Sequence, residues 1–488
     1  MERVKLKKLL KSITPQAIKG SKETQITGLT SNSKLVAPGN LFIAKKGLSS
    51  DGARFIPDAV AAGATAILTD LYNPFYPHIT QIIHPDVAEI EAAIAHRFYD
   101  FPCTRLFLVG ITGTNGKTTT SYLIRRLLEK KKKGCGLIGT IETIVGKNIY
   151  PSTHTTPDLL QNLKLFHEMV AAGCQSCTME VSSHALEQGR VRSIEFDVAV
   201  FTNLTQDHLD YHETMQQYGL AKAKLFSSLK KGATAVINAD SLASSQMIAD
   251  CKADRIFYGI EHPCDLRASS IQLSASGMEF DLTFQDQIQH ISSPLIGRYN
   301  VYNLLAATAA GLVYGMTLEE MASLFKDFSQ VPGRLERIPN NKGLNIFVDY
   351  AHTDDALRNV LQTLQEFKTG RLITVFGCGG DRDPLKRPKM GAAVEEFSDL
   401  PIVTSDNPRS EDPEAIIRAI LPGLKNPSRA LVIVDREEAI HQAIALAKPE
   451  DIVLIAGKGH ETDQVFSHKT IHFDDREVAR AAVCALAK

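Results

Sequence analysis

The run Gly113-Thr114-Asn115-Gly116-Lys117-Thr118-Thr119 holds residue types that bind phosphate. Glycines let backbone N–H groups turn toward an anion. A lysine reaches the terminal phosphates, and the hydroxyl after it suits Mg²⁺. An apolar run at 106–111 precedes the loop and reads as a buried strand, and apolar residues at 121–129 recur at helical spacing. Strand, glycine-rich loop, helix is the order that sets an anion on the positive end of a helix. The pattern G-x-x-x-x-G-K-[ST] is met except in its first glycine slot, which falls on Ile111 with Gly110 one residue early. A Gly/Thr loop that only turns the chain is the alternative, and the flanking elements favour nucleotide.

Further residues could act beside that loop. Glu180 ends an apolar run, and His208 follows another in Asn203-Leu-Thr-Gln-Asp-His-Leu-Asp-Tyr-His212. Parallel strands would bring both to the loop's edge of a sheet. A carboxylate there suits Mg²⁺, whereas hard cations take histidine less readily. A helix-capping glutamate and a hydrogen-bonded core histidine are equally open. By default Lys222 is a solvated helix lysine. Arg387 and the turn Asp406-Asn407-Pro408-Arg409 fall near strand ends. A guanidinium there suits paired recognition of a carboxylate, with a surface ion pair as the alternative. Cys174 and Cys177 lack both a helix start and a second ligand pair, so they read as small residues of a strand.

The elements that must position these residues divide the chain. With 488 residues it exceeds one core, and several domains are expected. Residues 1–101 read as a small mixed domain, with strands at 41–44 and 64–69 and a helix at 56–62. Residues 102–332 alternate strand and helix, with strands ending at 180, at 197–202 and at 234–238, and imply a mostly parallel sheet. Residues 333–488 alternate more clearly, with strands at 345–349, 372–376, 401–404, 430–435 and 451–456. The expected class is α/β, with a central P-loop ATPase sheet and a C-terminal Rossmann-like, doubly wound domain. Ligands of such a domain lie past the carboxyl ends of its strands, where Asp349, Gly377, Asp406 and Gly457 fall.

Composition excludes several classes. Lys and Arg number 54 against 55 Asp and Glu, a formal charge of -1, so neither a nucleic-acid nor a membrane partner is expected. The basic run at 130–133 closes a helix, where cations suit the dipole. The most apolar long stretch, 304–316, is too short to cross a bilayer. Eight scattered cysteines and an N-terminus without a signal-like apolar core fit a reducing cytoplasm.

Taken together, the motifs resemble the Mur ligases of peptidoglycan synthesis. They are Thr112-Gly-Thr-Asn-Gly-Lys-Thr118, Met179-Glu-Val-Ser-Ser-His184, the His208 segment, Asp349-Tyr-Ala-His352, Phe376-Gly-Cys-Gly-Gly-Asp-Arg382 and Ala456-Gly-Lys-Gly-His-Glu461. Within the family the chain is similar to the enzymes that add the third amino acid. The resemblance implies three domains: one for the UDP end of the substrate, a central ATPase and one that brings the amino acid. It implies ATP as co-substrate, Mg²⁺ as cofactor, and UDP-N-acetylmuramoyl-L-alanyl-D-glutamate and meso-2,6-diaminopimelate as the other substrates of a cytoplasmic monomer.

By that resemblance Lys117, Glu180, His208 and Lys222 are catalytic. Thr118, Glu180, His208 and Lys222, the last as a carbamate, hold metal. Gly113, Thr114, Asn115, Gly116, Lys117, Thr118, Thr119, Asn303, Arg334 and Asp349 bind ATP. Thr155, Thr156, Ser182, Gln188 and Arg190 contact the UDP substrate. Where the family usually has Asp-Ser-Arg this chain has Asn32-Ser33-Lys34, which leaves Ser33 as a uridine-nucleotide contact. Arg387, Asp406, Asn407, Pro408, Arg409, Gly457 and Glu461 take the amino acid. Lysine-adding relatives usually lack the arginine of the Asp-Asn-Pro-Arg turn, so it is read as the diaminopimelate cue. A lysine-adding homologue or a folylpolyglutamate-synthase-like ligase is the alternative, and a P-loop switch or motor is the third reading.

Overall fold

A computed structural model describes residues 3–47, 50–131, 134–328 and 330–486, all but the side chain of Asp210. The chain folds into two compact units: residues 1–110, 132–197 and 228–230 form one, and 111–131, 198–227 and 231–488 the other. The strand Phe107–Thr112 carries the chain across that division. It ends one residue later than the apolar run suggested.

Among the described residues the first unit holds a two-stranded pair, Val4–Lys5 with Gln25–Ile26, a five-stranded sheet and part of a larger one. In the five-stranded sheet Gly28–Thr30, Asn40–Ile43, Ala66–Thr69 and Thr80–Ile83 pair in parallel, and Ala17–Lys19 closes the edge antiparallel. The inner strands are buried along their whole length, as expected where a parallel sheet is covered on both faces. Helix Ile56–Ala61 stands where the sequence placed it. Elsewhere in this unit Ser176–Glu180 pairs in parallel with Cys135–Ile138, which then turns back into the antiparallel hairpin of Glu142–Val145 and Asn148–Pro151.

In the second unit Val198–Phe201, Thr234–Asn238 and Asp254–Gly259 run parallel. The sheet then departs from the expected pattern. Leu266–Ser274, Gly277–Phe284 and Gln287–Ser293 form an antiparallel meander. Only two residues join successive strands there, too few for the crossover a parallel pair needs. Helix Lys117–Lys131 follows the loop and buries Leu123, Ile124, Leu127 and Leu128 on one face. It ends at Lys131; Lys132 and Lys133 of the basic run lie outside the described residues.

Residues 345–456 form the doubly wound sheet. Its parallel order is Asn345–Asp349, Ile452–Ala456, Leu372–Phe376, Leu400–Val403 and Leu431–Val432. Helices Asp354–Gln365, Lys386–Phe397 and Pro413–Ile420 supply the core of one face, and Arg436–Leu446 and Asp475–Ala485 the other. The strand expected at 430–435 shrinks to Leu431–Val432, because it is an edge strand whose Val432 and Val434 face solvent. Among the described residues, no helix is long and apolar enough to cross a membrane.

Candidate active site

Gly116 shapes the phosphate loop. Its φ is +85°, and a Cβ on it would meet Asn303 Oδ1 at 2.5 Å, so no other residue fits without displacement. Asn303 is buried on helix Arg298–Val313 and accepts from Thr120 Oγ1 at 3.2 Å. The loop is laced to the segment after Val198–Phe201. Asn115 N–H donates to Asn203 Oδ1 (2.9 Å), and Thr205 N–H donates to Thr114 Oγ1 (3.0 Å). Lys117 Nζ folds over its own loop and donates to the carbonyls of Gly113 and Thr114, each at 2.8 Å. Thr118 and Thr119 are buried at the start of the helix.

Lys222 shares this neighbourhood. It is buried on helix Met215–Ser227 and donates to the Gly113 carbonyl at 2.9 Å. Its Nζ lies 4.4 Å from the centre of the Tyr218 ring. Burial, aided by Lys117, pushes its pKa well below the usual lysine value, against the pull of Asp207. The default of a solvated lysine is therefore wrong. Tyr218 was missed, although its i, i+4 spacing from Lys222 on one helix could have found it.

His208 stands differently. It sits at a left-handed φ of +52° before the short helix Leu209–His212, with its side chain 45% exposed and Nε2 3.4 Å from Asp207 Oδ2. Asp207 is itself held below the usual carboxylate range. His208 and Lys386 outweigh the effect of its burial.

Arg334 and Asp349 are the remaining residues expected to bind nucleotide. Arg334 Nη2 donates to Thr118 Oγ1 (3.3 Å), and its guanidinium lies 4.8 Å from the centre of the Tyr350 ring. Asp349 ends its strand and accepts from the backbone of Leu335 (2.6 Å) and Ala351 (2.8 Å). Burial raises its pKa, with Arg334 opposing. Asp355, not anticipated, accepts from Asn115 Nδ2 (3.2 Å) and Thr205 Oγ1 (3.0 Å).

The first unit gathers five of the six residues assigned to the UDP substrate, all but Ser33, around Glu180. That carboxylate is wholly buried and accepts from Thr140, at its N–H (2.9 Å) and its hydroxyl (3.0 Å). Thr140 Oγ1 lies 3.1 Å from Thr155 Oγ1. Thr156 Oγ1 donates to the Glu180 carbonyl (2.8 Å) and accepts from Ser182 N–H (3.1 Å). Ser182 caps helix Ser183–Glu187. Arg190 Nη1 donates to Thr156 O (2.9 Å), and its Nε donates to Gln188 Oε1 (3.0 Å). Ser33 opens the single turn Ser33–Leu35, capped by the Asn32 side chain.

The residues expected to take an amino acid converge at the carboxyl edge of the doubly wound sheet. Gly457 has φ +117°, and a Cβ there would meet Asp406 Oδ2 at 2.5 Å. Asn407 Nδ2 donates to Glu461 Oε2 (2.8 Å). Pro408 is buried, and the half-buried Arg409 donates Nη1 to the Gly380 carbonyl (2.7 Å). Arg387 does not stand open for a ligand carboxylate. Its Nη2 donates to both oxygens of Glu411, each at 2.8 Å. Beneath the turn Arg436 and Asp475 form a fully buried ion pair at 2.8 Å. Glu411, Arg436 and Lys458 escaped the sequence reading because their partners are distant in sequence or lie on another strand.

Among the described residues, no group of three or more His, Cys, Asp and Glu could hold a metal. Cys177 is buried and its thiol pKa raised, which leaves it inert.

Comparison with known proteins gives three consecutive matches. Residues 25–104 match the Mur ligase family, catalytic domain; 111–311 the Mur ligase middle domain; and 333–459 the Mur ligase, glutamate ligase domain. The UDP-N-acetylmuramoyl-L-alanyl-D-glutamate–2,6-diaminopimelate ligase of Caldanaerobacter subterraneus subsp. tengcongensis is 42% identical, over 98% of each chain. That of Geobacillus thermodenitrificans is 44% identical, over 98% of this chain and 99% of the relative. A solved structure bearing the same enzyme name superposes with a TM-score of 0.72 at 34% identity, covering 99% of each chain.

Proposed function

The chain belongs to the Mur ligase family, and on that premise we propose that it joins meso-2,6-diaminopimelate to UDP-N-acetylmuramoyl-L-alanyl-D-glutamate at the expense of ATP. The observation that carries this reading is the near-complete coverage at 42–44% identity by relatives of that name. ATP phosphorylates the γ-carboxylate of the D-glutamyl residue. An amine of diaminopimelate attacks the resulting acyl phosphate, the amide forms, and ADP and phosphate leave. A carboxylate is a poor electrophile, and the phosphoryl group makes its oxygen a leaving group. Catalysis is then largely positioning and charge stabilisation.

The residues take roles accordingly. Residues 1–101 serve the UDP end, 102–332 hold ATP, and 333–488 bring the amino acid. Backbone donors of 113–119 cradle the phosphates, and Lys117 offsets their charge. Arg334, Asn303 and Asp349 orient the nucleotide. Ser33, Thr155, Thr156, Ser182, Gln188 and Arg190 bind the UDP substrate. Asp406, Asn407, Pro408, Gly457 and Glu461 frame the amino acid. Arg409 reads the distal carboxylate that lysine lacks, with Arg387, paired to Glu411, as the second arginine assigned to it.

Mg²⁺ would neutralise phosphate charge, held by Thr118, Glu180, His208 and Lys222. The hydroxyl and carboxylate suit a hard cation, and the histidine nitrogen is the poorer match. An ammonium at Lys222 would repel the ion. Its buried, depressed amine is the form that adds to CO₂, and loss of a proton then leaves carbamate oxygens. The enzyme acts on these small molecules as a cytoplasmic monomer.

ADP release, followed with and without the UDP-dipeptide and diaminopimelate, tests the reading. Release should need both acceptors and vanish in Lys117→Ala with the fold retained. ATP hydrolysis indifferent to either acceptor would refute it.

A further inference from the structure

The motif Gly457-Lys458-Gly459-His460-Glu461 contains a charged side chain with no role so far. Lys458 is wholly buried, at 0% exposure. Its Nζ donates to Asn407 Oδ1 at 3.2 Å, to Glu461 Oε2 at 3.4 Å and to the Asp463 carbonyl at 2.5 Å. An ammonium has three protons to place, and these acceptors take them. Two of the acceptors belong to side chains assigned above to the amino acid, and they arrive on different segments. Asn407 follows Leu400–Val403, and Glu461 follows Ile452–Ala456, which are separated in the sheet by Leu372–Phe376.

The geometry also fixes the direction in which Asn407 presents its amide. Its Oδ1 accepts from Lys458 and from Val465 N–H (3.0 Å), and its Nδ2 donates to Glu461 Oε2. Without the lysine, Glu461 would lose its one ion pair among the described residues, and the amide would be held only by Val465 N–H and Glu461. The Glu461 side chain is 32% exposed, so it is the partner that looks outward while Lys458 holds it from below.

We propose that Lys458 is a positioning residue for the incoming amino acid, a buried ammonium that locks Asn407 and Glu461 into one recognition surface. It touches no substrate and acts only through those two side chains. The inference rests on the reading above that Asn407 and Glu461 bind the amino acid.

Steady-state kinetics on the full-length enzyme test it. Lys458→Met keeps much of the volume and removes the charge. Removing a hydrogen-bonded charge of this kind should raise the KM for diaminopimelate roughly 10- to 100-fold. The KM for ATP and for the UDP-dipeptide should stay within about twofold. Because Lys458 acts through Glu461, adding Lys458→Met to Glu461→Gln should raise that KM little beyond Glu461→Gln alone. Lys458→Arg should recover part of the loss. If Lys458→Met does not yield folded protein, Lys458→Gln, which retains a donor, is measured in the same cycle. A loss shared equally by all three substrates, or full additivity with Glu461→Gln, would overturn the inference and leave Lys458 a structural residue. An unchanged KM beside a normal wild-type response would overturn it alone. A wild type whose ADP release ignores diaminopimelate would overturn the underlying reading and this inference with it.

Discussion

Removing the Arg409 side chain separates the two arginines assigned to the distal carboxylate. Arg387 already has an anionic partner in Glu411. Among the described residues Arg409 makes no ion pair, its side chain donates to the neutral Gly380 carbonyl, and the nearby Asp381 acts on it only through space. The distal carboxylate of diaminopimelate should therefore fall mainly to Arg409. A fully buried charge pair that loses one member costs about 3–5 kcal/mol. Arg409 is only half-buried, so the smaller value for a hydrogen bond to a charged group, about 1.5–3 kcal/mol, is the better guide.

At about 1.4 kcal/mol per tenfold, Arg409→Ala should raise the KM for diaminopimelate roughly 10- to 150-fold. The KM for ATP and for the UDP-dipeptide should stay near wild type. The variant keeps the left-handed backbone at φ +51°, which alanine and arginine adopt with similar strain, so the loss is of side-chain contacts. Discrimination against L-lysine should narrow, since the unpaired guanidinium that penalises lysine is gone. Steady-state ADP release with each amino acid measures both effects. An unchanged KM for diaminopimelate, or a wild type that uses lysine equally well, would refute the reasoning and favour a lysine-adding enzyme.

Lys222→Met should lower turnover on the order of 10²–10³-fold, as loss of a preorganised charge does, yet stabilise the substrate-free protein at pH 7 in CO₂-free buffer. The folded pKa of Lys222 lies below its unfolded value, so the unfolded chain binds more protons in between and wild-type stability rises with pH. The advantage of the variant should accordingly shrink as pH climbs toward about 10, and chemical denaturation of both proteins across that range would expose a flat difference if the reasoning is wrong. Asp475→Ala leaves Arg436 buried without its carboxylate and should cost about 3–5 kcal/mol, whereas replacing both members by apolar residues of similar volume should cost far less. Thermal unfolding of the single and double variants checks this, and a single-variant loss under about 1 kcal/mol would contradict it.

Much of the scaffold was legible locally. The strand at 107–112, the helix after the loop, and the strands ending at Asp349, Phe376 and Ala456 follow from apolar runs and periodicity. Glycine, lysine and threonine at 116–118 declared phosphate chemistry for the same reason, since one short loop carries all the groups that act. The meander at 266–293 was not legible as such, because its half-exposed strands carry a weaker pattern than the buried parallel ones.

What tertiary structure alone decided is pairing at a distance. The strand of this sheet that comes last in sequence, Ile452–Ala456, inserts between Asn345–Asp349 and Leu372–Phe376. Nothing in its own residues specifies that slot. The insertion brings Lys458 and Glu461 to Asn407, and seats Arg436 between the Ala456 and Ser405 carbonyls. Burial is likewise a property of the packed fold. On one helix Lys222 becomes an amine with a depressed pKa while Lys224, two residues on, stays exposed. A sequence names which side chains can carry charge; the neighbours that desolvate or pair them are chosen by sheet order and helix packing.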